Sequence, residues 1–163
     1  MKKITNIIFS LIFINLISAC AGYEPIYTTN LQFEIADYSI TTDKKLGKQL
    51  YSKIYNLSKS SGKSSEVKST TIIIDAKKDK VSTAKDNAGK VLEYKIILTS
   101  LITIKDYLTD DDIIKKNFSY SSTYKVQEQY SETLKLENKT IENLINKIYQ
   151  NLLIEMSGSA LAK

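Results

Sequence analysis

Lys90-Val91-Leu92-Glu93-Tyr94-Lys95-Ile96-Ile97-Leu98-Thr99-Ser100-Leu101-Ile102-Thr103-Ile104-Lys105 decides the fold. Val91, Tyr94, Ile96, Ile97, Leu98, Leu101, Ile102 and Ile104 make it the strongest strand signal in the chain, rich in β-branched and aromatic residues. Its length exceeds that of an ordinary strand, so a bend or bulge is expected within it. Immediately upstream, Asp86-Asn87-Ala88-Gly89 reads as a turn, with Gly89 free to take a positive φ. Before that turn, 70–75 holds three consecutive isoleucines, which suits a strand covered on both faces, and the strand continues with polar residues to Lys85. Downstream, Thr109-Asp110-Asp111-Asp112 forms a second turn. A fourth strand at 113–126 then places Phe118, Tyr120, Ser122 and Tyr124 on one face.

Moving outward again, a helix over 131–156 carries one apolar stripe, Leu134, Ile141, Leu144, Ile145, Ile148, Leu152 and Met156. Ser131 and Leu134 do not form a capping box. Gly158 ends this helix, and 157–163 reads as a flexible tail. On the other side, Leu31, Phe33 and Ile35 alternate with Gln32 and Glu34, the pattern of a half-buried strand. Thr41, Thr42 and Asp43 offer N-caps for an amphipathic helix of about fifteen residues through Leu46, Leu50, Ile54 and Leu57. Gly47 weakens that helix locally. The Ser/Lys/Gly run at 58–69 reads as a mobile linker. The order β-α-β-β-β-α predicts an α+β two-layer sandwich over 31–156: an antiparallel four-stranded sheet with two helices on one face. The opposite sheet face is left without a helix.

The first 19 residues stand outside this domain. Lys2 and Lys3 precede an apolar run from Ile4 to Ile17, and small residues Ser18 and Ala19 lead to Cys20. A basic start, a short apolar run and small residues at the cut make a secretory signal, and the run is too short to span a bilayer. Ile17-Ser18-Ala19-Cys20 resembles a bacterial lipobox, which implies cleavage before Cys20 and acylation of its thiol and amine. Two or three acyl chains anchor a protein stably, since each buried methylene contributes ~0.8 kcal/mol. Ala21 rather than Asp after the cysteine favours outer-membrane sorting in that pattern. Residues 20–30, with the chain's only proline at Pro25, read as an extended tether.

Composition narrows the chemistry. Of 163 residues, 42% are hydrophobic and 25% charged; the 23 basic residues are all lysine, histidine is absent and there is one cysteine. Without histidine there is no Ser-His-Asp or Cys-His site and no imidazole-bound zinc. One cysteine allows no internal disulfide and no CxxC motif. Without arginine there is no guanidinium clamp for phosphate. Removing 1–19 takes away two lysines, leaving 21 against 18 acidic residues, a net +3 over 144 residues. That modest charge demands no nucleic acid, and no basic stretch is interleaved with aromatics. A non-enzymatic protein is expected, with no cofactor beyond covalent lipid on Cys20 and no metal.

Few side chains stand out as candidates. Asp110, Asp111 and Asp112 are the densest carboxylate cluster, but lack the alternating spacing of a calcium loop and read as a solvated turn. Tyrosine is frequent, and Tyr107, Tyr120, Tyr124 and Tyr130 suit a partner interface, although β-propensity alone also accounts for them. Lys85 and Lys90 flank the 86–89 turn and put two ammonium groups near a hairpin tip, where they can hold lipid phosphates as point charges.

These features gather into a resemblance. Cys20-Ala21-Gly22-Tyr23-Glu24-Pro25-Ile26-Tyr27 resembles the start of LptE-type lipopolysaccharide-assembly lipoproteins, especially alphaproteobacterial ones, with Ala21 in place of the usual glycine. Asp43-Lys44-Lys45-Leu46-Gly47-Lys48-Gln49-Leu50 looks like that family's first helix. Asn87-Ala88-Gly89-Lys90-Val91-Leu92-Glu93-Tyr94 is similar to its turn glycine and following strand. The resemblance implies a lipid-anchored α+β domain at the periplasmic face of the outer membrane, which plugs an LptD β-barrel and assists its assembly. It also implies lipopolysaccharide binding, with Lys85 and Lys90 the nearest matches to basic residues by the hairpin. An accessory lipoprotein of a periplasmic or ABC-type transport system, with a similar small α+β domain contacting periplasmic transporter subunits, is the competing reading.

Overall fold

The computed structural model describes residues 31–60 and 67–162. The signal peptide, Cys20, the 20–30 tether and the centre of the 58–69 linker lie outside the described residues. Six elements follow one another: β1 (Phe33–Thr42), α1 (Lys44–Ser60), β2 (Lys68–Lys85), β3 (Val91–Asp106), β4 (Asp112–Lys125) and α2 (Tyr130–Ser157). The strands form one sheet in the order β1-β2-β3-β4, and the expected α+β order is observed.

The sheet is mixed rather than wholly antiparallel. β2-β3 and β3-β4 are antiparallel hairpins, whereas β1 runs parallel to β2. The reason is α1. A helix carries the chain from the end of β1 back to the start of β2, and a strand entered after such a return runs in the direction of the first. β1 also extends to Thr42, well past the alternating 31–35 segment. A register shift between Ile35 and Asp37 changes which parity faces the helices, so Phe33 and Ile35 are followed by Tyr38 and Ile40. A break in period two hides the second half of the strand from a pattern search.

Asp43 caps α1: its Oδ1 accepts the N–H groups of Lys45 at 3.0 Å and Leu46 at 3.1 Å. Its own N–H donates to Ala76 O at 2.9 Å, which pins the helix start to β2. Gly47 has a packing role, because a Cβ there would stand 2.2 Å from Ile40 Cγ2. The glycine costs helix propensity and lets α1 lie close on β1.

The core lies between the sheet and the helices. Ile72, Ile74 and Ala76 of β2 and Ile96, Leu98, Ile102 and Ile104 of β3 are fully buried, against Ile54 of α1 and Ile148, Leu152 and Met156 of α2. Each large side chain buried this way contributes roughly 1.5–3 kcal/mol. Ile73 points to the other face and is half-buried, so the triple isoleucine is covered by helices on one side only. That other face presents Leu101 with Thr99, Ser119 and Ser121. Leu134, placed in the apolar stripe from sequence, is 39% exposed, and Thr133 and Thr140 occupy the buried line instead.

The bulges expected in the long strand fall at its ends. Register shifts against β2 lie between Ser82 and Lys85, and against β4 between Ile104 and Lys105. The C-terminus is pinned rather than loose: Leu161 is buried, Gln32 N donates to Leu161 O at 3.0 Å, and Leu31 bridges to Ala162.

Candidate functional site

Along β2, the helix-facing positions run Ile72, Ile74, Ala76 and then Lys78 and Lys80. The apolar pattern stops where α1 begins and no longer covers the strand. The two lysines meet Glu137 of α2 instead. Lys80 Nζ lies 2.6 Å from one carboxylate oxygen and Lys78 Nζ 3.8 Å from the other. Tyr124 OH donates to the same carboxylate at 2.9 Å. Lys80 Nζ also sits 4.3 Å above the Tyr94 ring, which packs beside Tyr124 with centroids 5.9 Å apart. Burial works to raise the Glu137 pKa, but the hydrogen bonds from Lys80 and Tyr124 and the nearby lysine charges outweigh it, so the net shift is downward. Burial likewise works to lower Lys80, and its bonds to Glu137 and Tyr124 reverse that, leaving it raised. Glu137 is therefore ionised, with one oxygen hydrogen-bonded to both Lys80 and Tyr124. It clasps α2 to the sheet.

Beyond the clasp, β2 and β3 continue as a ribbon that β4 flanks as far as Lys125, opposite Glu93, and every residue from 81 to 90 is exposed. The turn at its tip is built by Asp86, whose Oδ1 accepts from Ala88 N at 3.0 Å and Lys90 N at 2.9 Å. Gly89 sits at φ 84, a conformation that favours glycine. Lys85 and Lys90 flank this turn, both exposed. Among the described residues neither forms an ion pair, whereas Lys78, Lys80, Lys105 and Lys116 all do. Two unneutralised ammonium groups on a projecting, pre-shaped turn can bind a phosphate-bearing ligand without first breaking an internal contact.

The four tyrosines do not form one patch. Tyr120 and Tyr124 share the helix-facing side of β4: Tyr124 is buried at the clasp, and Tyr120 is half-buried with Lys147 Nζ 4.7 Å above its ring. Tyr130 is 74% exposed at the start of α2. Tyr107 lies at the opposite end of the sheet, its N–H donating to Ser69 O at 3.0 Å. Asp110 and Asp112 both face Lys105, at 3.0 and 3.8 Å. Among the described residues no acidic cluster is arranged to hold a metal ion.

A cleft of about 600 Å³ separates the two helices, lined in part by Leu46, Gln49 and Lys53 of α1 and Ile141 and Glu142 of α2, with Lys78 on its floor. Sequence reasoning missed Lys80 and Glu137, which stand 57 positions apart. The signal that could have found Lys80 is the replacement of inward apolar residues by lysine after Ala76, which favours a carboxylate on whatever element passes above but does not say which one.

No protein-family model and no curated protein sequence matches the chain. Solved structures do share its fold. Lipoprotein B of Nitrosomonas europaea superposes with a TM-score of 0.56 at 14% identity, over 81% of this chain and 88% of that one. A minor lipoprotein of Acinetobacter baumannii gives 0.54 at 13% identity, over 78% and 93%. Rare lipoprotein B of Shewanella oneidensis gives 0.52 at 13% identity, over 75% and 94%. The chain thus has the α+β fold seen in these bacterial lipoproteins.

Proposed function

We propose that this protein is an outer-membrane lipoprotein, acylated at Cys20, that plugs an LptD-like β-barrel and assists its assembly for lipopolysaccharide transport. The observation that carries the reading is a lipobox cysteine set a short tether ahead of a domain with the fold of bacterial lipoproteins. The work is recognition rather than catalysis. The unneutralised Lys85 and Lys90 at the ribbon tip are suited to lipopolysaccharide phosphates. The exposed Tyr107 and Tyr130 and the half-buried Tyr120 offer aromatic area to a partner protein.

Affinity purification of C-terminally tagged protein from gently solubilised native membranes tests this. A large β-barrel recovered in stoichiometric amount supports the proposal. Recovery of an inner-membrane transporter in its place would move the protein to the transport-accessory class. Intact-mass measurement of the mature chain separately reads the acylation of Cys20.

A further inference from the structure

The two edges of the sheet are finished differently. β1, at one edge, is broken by the register shift between Ile35 and Asp37, and its approach is closed by the bridge from Leu31 to Ala162. β4, at the other edge, keeps one register against β3 from Ile114 to Lys125 without a bulge. Edge strands are ordinarily broken, covered or kept short, because a row of unpaired N–H and C=O groups accepts another strand.

The pairing identifies those groups on β4. Val126 N donates to Leu92 O at 2.9 Å. By alternation, the even-numbered residues back to Ile114 turn their N–H and C=O toward β3. Lys115, Asn117, Ser119, Ser121 and Thr123 turn theirs outward, and all five are exposed. Among the described residues no strand lies beyond them in the sheet. The helix layer leaves this edge accessible too. Lys147 Nζ stands 4.7 Å over the Tyr120 ring. Ile154, seven residues on and so on the same side of α2, is 51% exposed. A strand laid along β4 thus meets backbone partners, with hydroxyls on one face and Tyr120 and Ile154 on the other.

Charge decides which strand that is. From 112 to 125, Asp112 stands alone against Lys115, Lys116 and Lys125. Asp112 and Glu155 engage Lys115 and Lys116, at 4.0 and 2.9 Å, while Lys125 and Lys147 face no carboxylate among the described residues. A second copy of this chain would bring the same positive edge and repel it, whereas an acidic segment is drawn in. The chain's own tether enters at Leu31, beside the far edge. A closed barrel has no free strand edge, so the strand must come from a loop or terminal segment. We propose that β4 takes up an acidic, extended loop or terminal segment of the barrel partner as a further strand of the sheet. The inference rests on the barrel-plug reading above and adds how the plug is gripped.

The test compares full-length tagged variants in the membrane purification described above, reading the ratio of β-barrel to bait. Ser121→Pro removes an outward N–H and no bond to β3, a place where edge strands tolerate proline. Ser121→Ala keeps the N–H and removes the hydroxyl. Lys115→Glu with Lys125→Glu leaves the backbone alone and reverses the charge. The expected result is a loss of about tenfold or more for Ser121→Pro at an unchanged melting temperature. Ser121→Ala should match the parent, and the lysine pair should lose about threefold to tenfold. Full recovery of the barrel by folded Ser121→Pro overturns the proposal. So does undiminished recovery by the lysine pair, which also decides the matter if the proline variant melts early. A parent that is dimeric in detergent, with Ser121→Pro monomeric, gives the edge to a second copy and overturns it as well. If the parent recovers no barrel, the plug reading falls and this proposal with it; a barrel held equally by parent, proline and lysine variants removes this proposal alone.

Discussion

The two hairpin turns of this sheet follow the same grammar and present opposite chemistry. Asp86 and Asp106 each open a turn by accepting two backbone N–H groups on a single side-chain oxygen. Each turn then uses one residue at positive φ, Gly89 at 84° and Asp110 at 61°. The 86–89 turn offers its flanking lysines and no apolar side chain larger than Ala88. The 107–111 turn offers leucine and tyrosine, with its lysine already engaged by aspartate. Backbone chemistry shapes both tips, so the difference in what they can bind resides in a few exposed side chains. The supports differ too. The 107–111 turn stands directly on buried Ile104 and Ile114, while the 86–89 turn stands on the exposed 81–85 end of β2, beyond the last core layer.

The largest expected effect tests those supports. Ile104→Ala, beneath the apolar tip, should cost about 2–5 kcal/mol in chemical denaturation. Val81→Ala, beneath the basic tip, should stay within about 0.5 kcal/mol. Equal losses would mean that the ribbon is packed as firmly as the body.

Next comes the clasp at the ribbon's base. Glu137→Gln should cost about 1–2 kcal/mol, since it weakens charge-assisted bonds to Lys80 and Tyr124. Glu137 has a folded pKa below its ordinary 4.5. Its stabilisation is therefore complete above that value and is lost as pH falls through the folded value. Thermal melts of parent and variant should differ at neutral pH and converge in acid. A gap that persists at low pH would point to altered packing in place of lost charge.

Smaller still is the backbone difference between the turns. Gly89→Ala should cost about 1 kcal/mol through its left-handed conformation. Asp110→Gly should change stability by less than about 0.5 kcal/mol, because relief at positive φ offsets the loss of an exposed ion pair. Denaturant midpoints read both. The smallest stability effect belongs to Lys85→Glu with Lys90→Glu, within about 0.5 kcal/mol, yet this pair should abolish retention of lipopolysaccharide on a column that the parent protein binds. Retention by the double variant would take the ligand away from the basic tip.

Much of this architecture was legible in the residues. The element order, both turns and the cap at Asp43 follow from local patterns, because alternation, helical spacing and turn chemistry are local properties. The direction of β1 was equally available, since a helix between two neighbouring strands makes them parallel, but the strong hairpins downstream drew the whole sheet toward an antiparallel reading. The second half of β1 was concealed by the bulge at Ala36, which inverts the alternation. Glu137 was out of reach for another reason. A clasp between residues far apart in sequence depends on how α2 lies over the sheet, and packing angle leaves no trace in spacing. The tyrosines show the same limit: composition marks them as notable, while only the fold separates buried Tyr124 from exposed Tyr130 and sends Tyr107 to the other end.

The bridge between Leu31 and Ala162 has a mechanical consequence. In an anchored protein, any tug between membrane and partner enters through Leu31, at the start of an edge strand that is the natural place for a sheet to peel. Gln32 and Leu31 are tied there to the segment just after α2, and β1 lies parallel to β2 over nine paired positions from Phe33 to Thr42. A pull along the tether thus loads the β1–β2 hydrogen bonds together in shear, and passes part of the force into α2. A load entering at Leu31 is thus shared between the sheet and α2.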